Sequence, residues 1–363
     1  MKKILICSDS FKGTLSSKEI SSIANSLVND KYKKHIDLSS LLIADGGEGS
    51  LEAFKSIVNG KYEFIETIDA ENNKIIAPYL LFDNDKAIIE VSKVIGLPLI
   101  KNSIEKTKRT TKGLGILIKD VIKKGAKTIY ICLGGSSTND FGIGMVEELG
   151  LRVNNKTNLV ADDLQSIDDF DDSKLIKLNK DVKFIGLSDV TNPLIGKNGA
   201  TYVFGPQKGY NFEELLQLEN GMCHINSILK LKKHIDLSTI SGSGAAGGIG
   251  GCIYSLLNGE LKSGIDTLLE LANFKEIIKD KDYIITGEGS FDNQSLNGKV
   301  ISGILKYVDK NKLVIICGKS KIADKSYRIL ETSNGISDFN YIKANAKEMY
   351  KNTLDEFFKS IIE

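Results

Sequence analysis

Hydrophobic positions in this chain fall into short runs that break against glycine and an acid. Lys3–Cys7 stops at Asp9-Ser10-Phe11-Lys12-Gly13, Leu41–Ile43 at Asp45-Gly46-Gly47-Glu48-Gly49, and Thr128–Leu133 at Gly134-Gly135-Ser136-Ser137-Thr138-Asn139-Asp140. Phe184–Leu187 stops at Ser188-Asp189, and Tyr283–Ile285 at Thr286-Gly287-Glu288-Gly289. Runs of this length read as buried strands. Between them the spacing turns helical: Ser16 and Glu19 have capping-box spacing, predicting a helix to about Asp30, and Ser50–Val58 predicts a second. This βαβα opening is the pattern of a parallel sheet. After Gly60 the segments Tyr62–Ile68, Lys74–Phe82 and Ala87–Val91, joined by turn residues, predict an antiparallel meander. Helices are expected over Thr111–Lys124, Gly142–Leu149, Glu213–Lys233 and Gly250–Leu257, and an exposed excursion over Asn154–Asp172. Near Asp282 the alternation returns, with strands at Tyr283–Thr286, Leu313–Cys317 and Phe339–Ile342 and helices at Gly298–Tyr307 and Ala346–Ile362.

The expected fold is α/β: a discontinuous, doubly wound (Rossmann-like) domain from residues 1–60 and 276–363, with a second α/β domain, 61–275, inserted in it. Termini of one domain often lie close together, which makes insertion easy.

Charge narrows the function class. With 48 basic and 47 acidic residues the net charge is +1, so neither a nucleic-acid surface nor an acidic tail is indicated. Arginine occurs only at 109, 152 and 328, which leaves phosphate recognition to lysines and backbone amides. The five cysteines are scattered without a C-x-x-C pair, which fits a reducing cytoplasm. The run after Lys2-Lys3 is too short for a signal peptide, and none reaches the ~20 apolar residues of a membrane span.

Ligands bind at the carboxyl ends of strands in an open α/β sheet, where glycine lets backbone N–H groups approach an anion. Five such loops point to phosphoryl transfer or polyanion binding. Lys12, in a strand-to-helix loop with Asp9, can reach a phosphate; a plain turn lysine is the alternative. Asp45 or Glu48 can lie near a metal or a hydroxyl, and Gly46 and Gly47 allow close approach of backbone. The hydroxyls and amides of residues 136–139 can bind a carboxylate or phosphate, although Thr138, Asn139 or Asp140 could also cap the next helix. Asp189 is a candidate base for a substrate hydroxyl, or the head of an Asx turn. Lys208 stands in a second lysine loop, with the same ambiguity as Lys12. Glu288 and Asp292 can hold Mg²⁺, and Lys299 can meet a phosphate.

Gly242–Gly247 matches G-x-G-x-x-G, a weak signal for a nicotinamide oxidoreductase because its preceding strand is poor. Gly318-Lys319-Ser320 lacks the glycine a Walker A loop requires at Leu313. The three histidines lie outside every cluster.

Eight ordered motifs resemble the bacterial type I glycerate kinase family: Asp9–Gly13, Ala44–Gly49, Thr110–Gly115, Gly134–Asp140, Ser188–Leu194, Phe204–Gly209, Gly242–Gly248 and Thr286–Lys299. Phe291 and Phe141 depart from the pattern without removing an acid or a lysine. The resemblance implies ATP- and Mg²⁺-dependent phosphorylation of D-glycerate, favouring the 2-hydroxyl and so 2-phosphoglycerate; residue chemistry alone leaves the 3-hydroxyl open. Within it, Lys12 supplies charge to the phosphates and Asp189 accepts the hydroxyl proton. Asp45, Glu288 and Asp292 are the metal candidates. Ser10, Ser136, Ser137, Thr138, Asn139 and Lys208 are expected at the substrate. Gly46, Gly47, Gly244, Gly247, Gly287, Gly289 and Lys299 are expected at the nucleotide. No nucleic-acid or membrane partner is expected, and a non-catalytic sensor of a hydroxy acid is disfavoured for want of a helix-turn-helix or secretion signal.

Overall fold

The computed structural model describes residues 1–153, 156–293, 295–296, 300–322 and 324–362. Eleven strands are seen among them: β1 (Lys2–Ile6), β2 (Ile36–Ser40), β3 (Gly60–Ile68), β4 (Lys74–Phe82), β5 (Lys86–Glu90), β6 (Thr128–Cys132), β7 (Lys183–Leu187), β8 (Glu260–Lys262), β9 (Tyr283–Phe291), β10 (Leu313–Ser320) and β11 (Arg328–Glu331). The chain divides into two α/β units. The first combines Met1–Asp45, Glu52–Val58 and Ile265–Glu363; the second combines Gly46–Leu51 and Asn59–Gly264.

In the first unit five parallel strands run in the order β11-β10-β9-β1-β2. Chain order reverses between β1 and β9, the topological switch point at which open α/β sheets bind ligands. Ile4, Ile6, Leu27, Ile285, Ile316, Tyr350 and Phe358 form part of its core. The helix Ser17–Leu27 starts with the expected capping box, in which Ser16 accepts the Glu19 N–H.

The second unit holds six strands in the order β3-β4-β5-β6-β7-β8. The β3-β4-β5 meander is antiparallel and the rest parallel, with Glu90 in register with Cys132, and Cys132 with Leu187. Tyr79, Ile89, Leu117, Ile131, Phe184 and Met222 contribute to its core.

Several local expectations are corrected. The Asn154–Asp172 stretch is not an exposed excursion: Leu159, Leu164 and Ile167 are fully buried, and a 3-10 helix spans Ala161–Ser166. Its apolar residues are spaced too irregularly to register as an element. Phe339–Ile342 is not a strand but the first turn of the helix Phe339–Ile362, which Asp338 starts by accepting the Asn340 N–H at 2.9 Å. Gly287, Glu288 and Gly289 do not form a loop after a strand; they lie inside β9, paired with β10. A Cβ on Gly287 would fall 1.8 Å from the Ile316 carbonyl oxygen, so glycine here permits close strand pairing. The residues before Gly242 form turns rather than a strand, so the dinucleotide fingerprint lacks its required context. Among the described residues no helix is long and apolar enough to cross a membrane.

Candidate functional site

In the first unit, β1 ends against β9 and the chain turns through Ser8–Thr14. The Asp9 N–H donates to the Gly287 carbonyl at 2.9 Å, and Phe11 N–H donates to Leu15 at 2.7 Å, closing the loop tightly. Gly13 has φ +83°, which leaves Lys12 at the apex, exposed. Asp9 is half-buried and accepts the Ser10 N–H at 2.7 Å. Burial pushes its carboxyl up to about 7, reinforced by Asp45 and, more weakly, Glu288, while the Ser10 N–H and Lys12 oppose the shift. The switch point thus brings Lys12, Asp45 and Glu288 within electrostatic range of Asp9, with Ser10 beside it. Gly289 faces the same loop, its Cβ direction 3.5 Å from Phe11 Cα. Asp292 instead has its carboxylate 3.9 Å from Lys321 Nζ. Lys299, expected at a phosphate, lies outside the described residues.

The donor chemistry here is hard carboxylate oxygen. Among the described residues no group of three or more acids, histidines or cysteines could hold a metal unaided. Mg²⁺ is commonly held by one or two carboxylates plus substrate phosphates, so this residue set fits it when a nucleotide supplies the remaining oxygens.

The second unit gathers its polar residues where β5, β6 and β7 end. The segment 46–49 lies across those ends. Gly134 N–H donates to the Gly46 carbonyl at 2.9 Å, and a Cβ on Gly134 would come within 2.3 Å of Gly47 Cα. Gly134 is therefore demanded by close backbone packing, as is Gly46, where a Cβ would fall 2.8 Å from Leu187 O.

The loop after β6 is almost wholly internal. Lys208 Nζ donates to Ser136 Oγ at 3.0 Å and to the Thr138 carbonyl at 2.6 Å. Ser137 Oγ donates to Ile95 O at 2.8 Å, and Asn139 Nδ2 to Thr201 Oγ1 at 3.1 Å. Asp140 accepts the Thr111 N–H and hydroxyl at 3.1 and 2.7 Å and the Gly142 N–H at 3.1 Å. Burial raises its carboxyl against those hydrogen bonds. Burial also depresses the Lys208 amine to about 7; Asp140 opposes this and Arg109 adds to it. The buried Thr138 Oγ1 and Asn139 Oδ1 have no hydrogen-bond partner.

Arg109 escaped sequence reading. It is 2% exposed and donates to Ser137 O at 3.4 Å, Lys208 O at 3.3 Å and Asn102 Oδ1 at 3.2 Å, with Glu71 4.0 Å away. The arginine thereby ties the Ser136–Asp140 loop to the Lys208 loop. The available signal was its rarity, one of three arginines, directly before the Thr110–Gly115 motif.

Asp189 follows β7 and accepts the Gly264 N–H at 3.0 Å. Gly244 and Gly247 are buried; a Cβ on them would fall 2.3 Å from Pro193 O and 2.1 Å from Thr138 O. Their backbones pack against protein backbone.

Comparison with known proteins places this architecture. The sequence profile described as the Glycerate kinase family matches residues 4–360. The "Glycerate 2-kinase" of Escherichia coli K12 is 35% identical over 314 residues, covering 85% of this chain and 82% of that protein. The "Glycerate kinase" of Bacillus cereus ATCC 10987 is 36% identical, with 83% and 81% covered. A crystal structure of a candidate glycerate kinase 2 from Salmonella typhimurium LT2 superposes with a TM-score of 0.81 at 30% identity, covering 99% of this chain and 98% of that one. On profile, sequence and fold together, the chain belongs to the glycerate kinase family, and is thus a phosphotransferase.

Proposed function

We propose that the protein transfers the γ-phosphoryl group of ATP to the 2-hydroxyl of D-glycerate, giving 2-phosphoglycerate, with Mg²⁺. The observation that carries this reading is the charged cluster at the switch point of the first sheet, where the loop that carries Asp9 and Lys12 meets the carboxylates of Asp45 and Glu288. Preference for the 2-hydroxyl is supported by the name of the Escherichia coli relative.

Phosphoryl transfer needs chiefly positioning and charge neutralisation. Lys12 supplies a mobile positive charge to the nucleotide phosphates. Asp45 and Glu288 would hold the metal, with Asp292 the third candidate; Mg²⁺ would supply charge neutralisation to the nucleotide phosphates. Asp189 accepts the proton of the attacking hydroxyl, its carboxylate oriented by the Gly264 N–H. In the second unit Thr138 and Asn139, whose buried Oγ1 and Oδ1 lack partners, are the candidates to orient glycerate, with Ser136 and Lys208 beside them; Ser10 is the first unit's candidate. Ser137, whose hydroxyl is committed to Ile95, serves by holding the loop. Gly289, beside the Asp9–Lys12 loop, is the first unit's glycine for the nucleotide, and Gly46 and Gly47 are the second unit's; Gly287 serves strand pairing, and Gly244 and Gly247 pack against protein backbone.

Phosphorus NMR of the product from ATP and D-glycerate tests the reaction: a 2-phosphoglycerate signal is expected, and a 3-phosphoglycerate signal refutes the regiochemistry. Mg²⁺ titration of three variants tests the roles. Asp189→Asn should lower kcat at unchanged metal requirement, whereas Glu288→Gln and Asp292→Asn should raise that requirement. The reverse pattern would reverse the assignments.

A further inference from the structure

We propose that Glu90 is a positioning residue that fixes the Gly46–Leu51 segment for nucleotide binding. This deepens the reading above and rests on it. Glu90 ends β5 and is fully buried. Its carboxylate accepts the N–H of Leu51 at 2.9 Å and of Gly49 at 3.3 Å, and the hydroxyl of Ser92.

The reason for a buried carboxylate there lies in the helix Ser50–Ile57. The first N–H groups of any helix lack partners inside it, and a side-chain oxygen from the preceding residue usually takes one. Here the preceding residue is Gly49, which has no side chain. Glu90 supplies the missing oxygen from another strand, about 40 positions further along the chain, and brings a negative charge to the positive end of the helix. Two further bonds hold the same segment: Gly134 N–H to Gly46 O at 2.9 Å and Ser50 Oγ to Gly47 O at 2.6 Å.

This arrangement has two consequences. The loop after Asp45 is set by a charge from within the second unit rather than by ligand. In addition, the amides of Gly49 and Leu51, which would otherwise suit a phosphate, are engaged by an internal anion.

The test uses the full chain. Glu90→Gln keeps the shape but replaces one acceptor oxygen by a donor, which cannot take a backbone N–H. KM for ATP should rise about 10-fold or more, while KM for glycerate moves less than about 3-fold. Amide exchange across residues 46–51 should accelerate about 10-fold or more, with β5 and β6 still protected. Glu90→Asp, which keeps the charge on a shorter arm, should fall between wild type and Glu90→Gln in both readouts, and carries the test if Glu90→Gln does not fold. Ser92→Ala leaves both amide bonds and should change KM for ATP less than about 3-fold. Unchanged exchange at 46–51, or equal rises in both KM values, would overturn the proposal. Wild-type protein inactive on ATP and glycerate would defeat the kinase reading instead, while the exchange result would still decide whether Glu90 holds the segment.

Discussion

The two units solve the placement of polar groups in opposite ways. In the first, strand order reverses between β1 and β9, where the half-buried Asp9, Asp45 and Glu288 gather with the exposed Lys12. In the second, β5 to β8 follow one another without reversal. Its Ser137, Thr138 and Asp140 are wholly buried, and Lys208 and Arg109 nearly so. An open cluster holds its charges ready for a ligand. A sealed one must satisfy its charges internally and shapes the backbone that a ligand meets. Changes at the exposed Lys12 of the first should therefore damage catalysis at constant stability, and changes in the second should damage the fold.

The largest test of that contrast is Arg109→Met. It strips the Ser137 and Lys208 carbonyls of a donor and leaves the buried Glu71 facing no cation, so urea denaturation should show a loss of about 3–5 kcal/mol. A loss below about 1 kcal/mol would break the contrast. Lys12→Ala is its counterpart. Stability should change by less than about 0.5 kcal/mol, because the side chain is exposed, while kcat/KM falls roughly 100-fold. Lys12→Arg should not restore full activity, since a planar fork does not replace a compact charge.

Acidity sharpens the comparison, because the two clusters respond to pH in opposite senses. The Asp9 carboxyl is raised to about 7, so the folded protein holds a proton that the unfolded chain has already lost. Its contribution is complete below pH 4 and disappears as pH rises through 7. In metal-free buffer, Asp9→Asn should therefore gain stability relative to wild type between pH 4 and 7. The Lys208 amine is lowered to about 7, so between pH 7 and 10 it is the unfolded chain that holds the extra proton. Wild type should gain stability over Lys208→Met across that window. Parallel pH profiles for both pairs, measured by denaturant titration, would contradict the opposite environments described. Asp292→Asn should also leave stability almost unchanged, because its 3.9 Å pairing with the exposed Lys321 should contribute less than about 0.5 kcal/mol.

The sequence disclosed the strand-ending loops because parallel strands leave uninterrupted apolar runs, and the glycines and acids that close each run stand out. The Ser16 capping box and the β3-β4-β5 meander were legible for the same local reason. Gly287 misled because close packing against β10 selects glycine as a ligand loop does. Phe339 misled because its turn carries aromatic residues, whereas the Asp338 cap decides the helix. Arg109 and Glu90 were invisible in the pattern. Each acts on segments brought near only by the fold, and each lies in a stretch with no glycine cluster to mark it.

The wiring of the first sheet also dictates the order in which the molecule can be made. The strands of the second unit pair with their neighbours in sequence, so its sheet can close once Lys262 has been synthesised. The first sheet cannot. Its β1 must wait for β9, and the bond from the Thr286 hydroxyl to the Cys7 carbonyl joins residues 279 positions apart. At 5–20 residues per second that wait lasts roughly 15–60 s. Throughout it, one edge of β1 lies unpaired, with the apolar Ile4, Leu5 and Ile6 awaiting their cover. A chain halted before Tyr283 thus carries a finished second sheet beside an open first one, and that is the form in which this protein should aggregate and engage chaperones during synthesis.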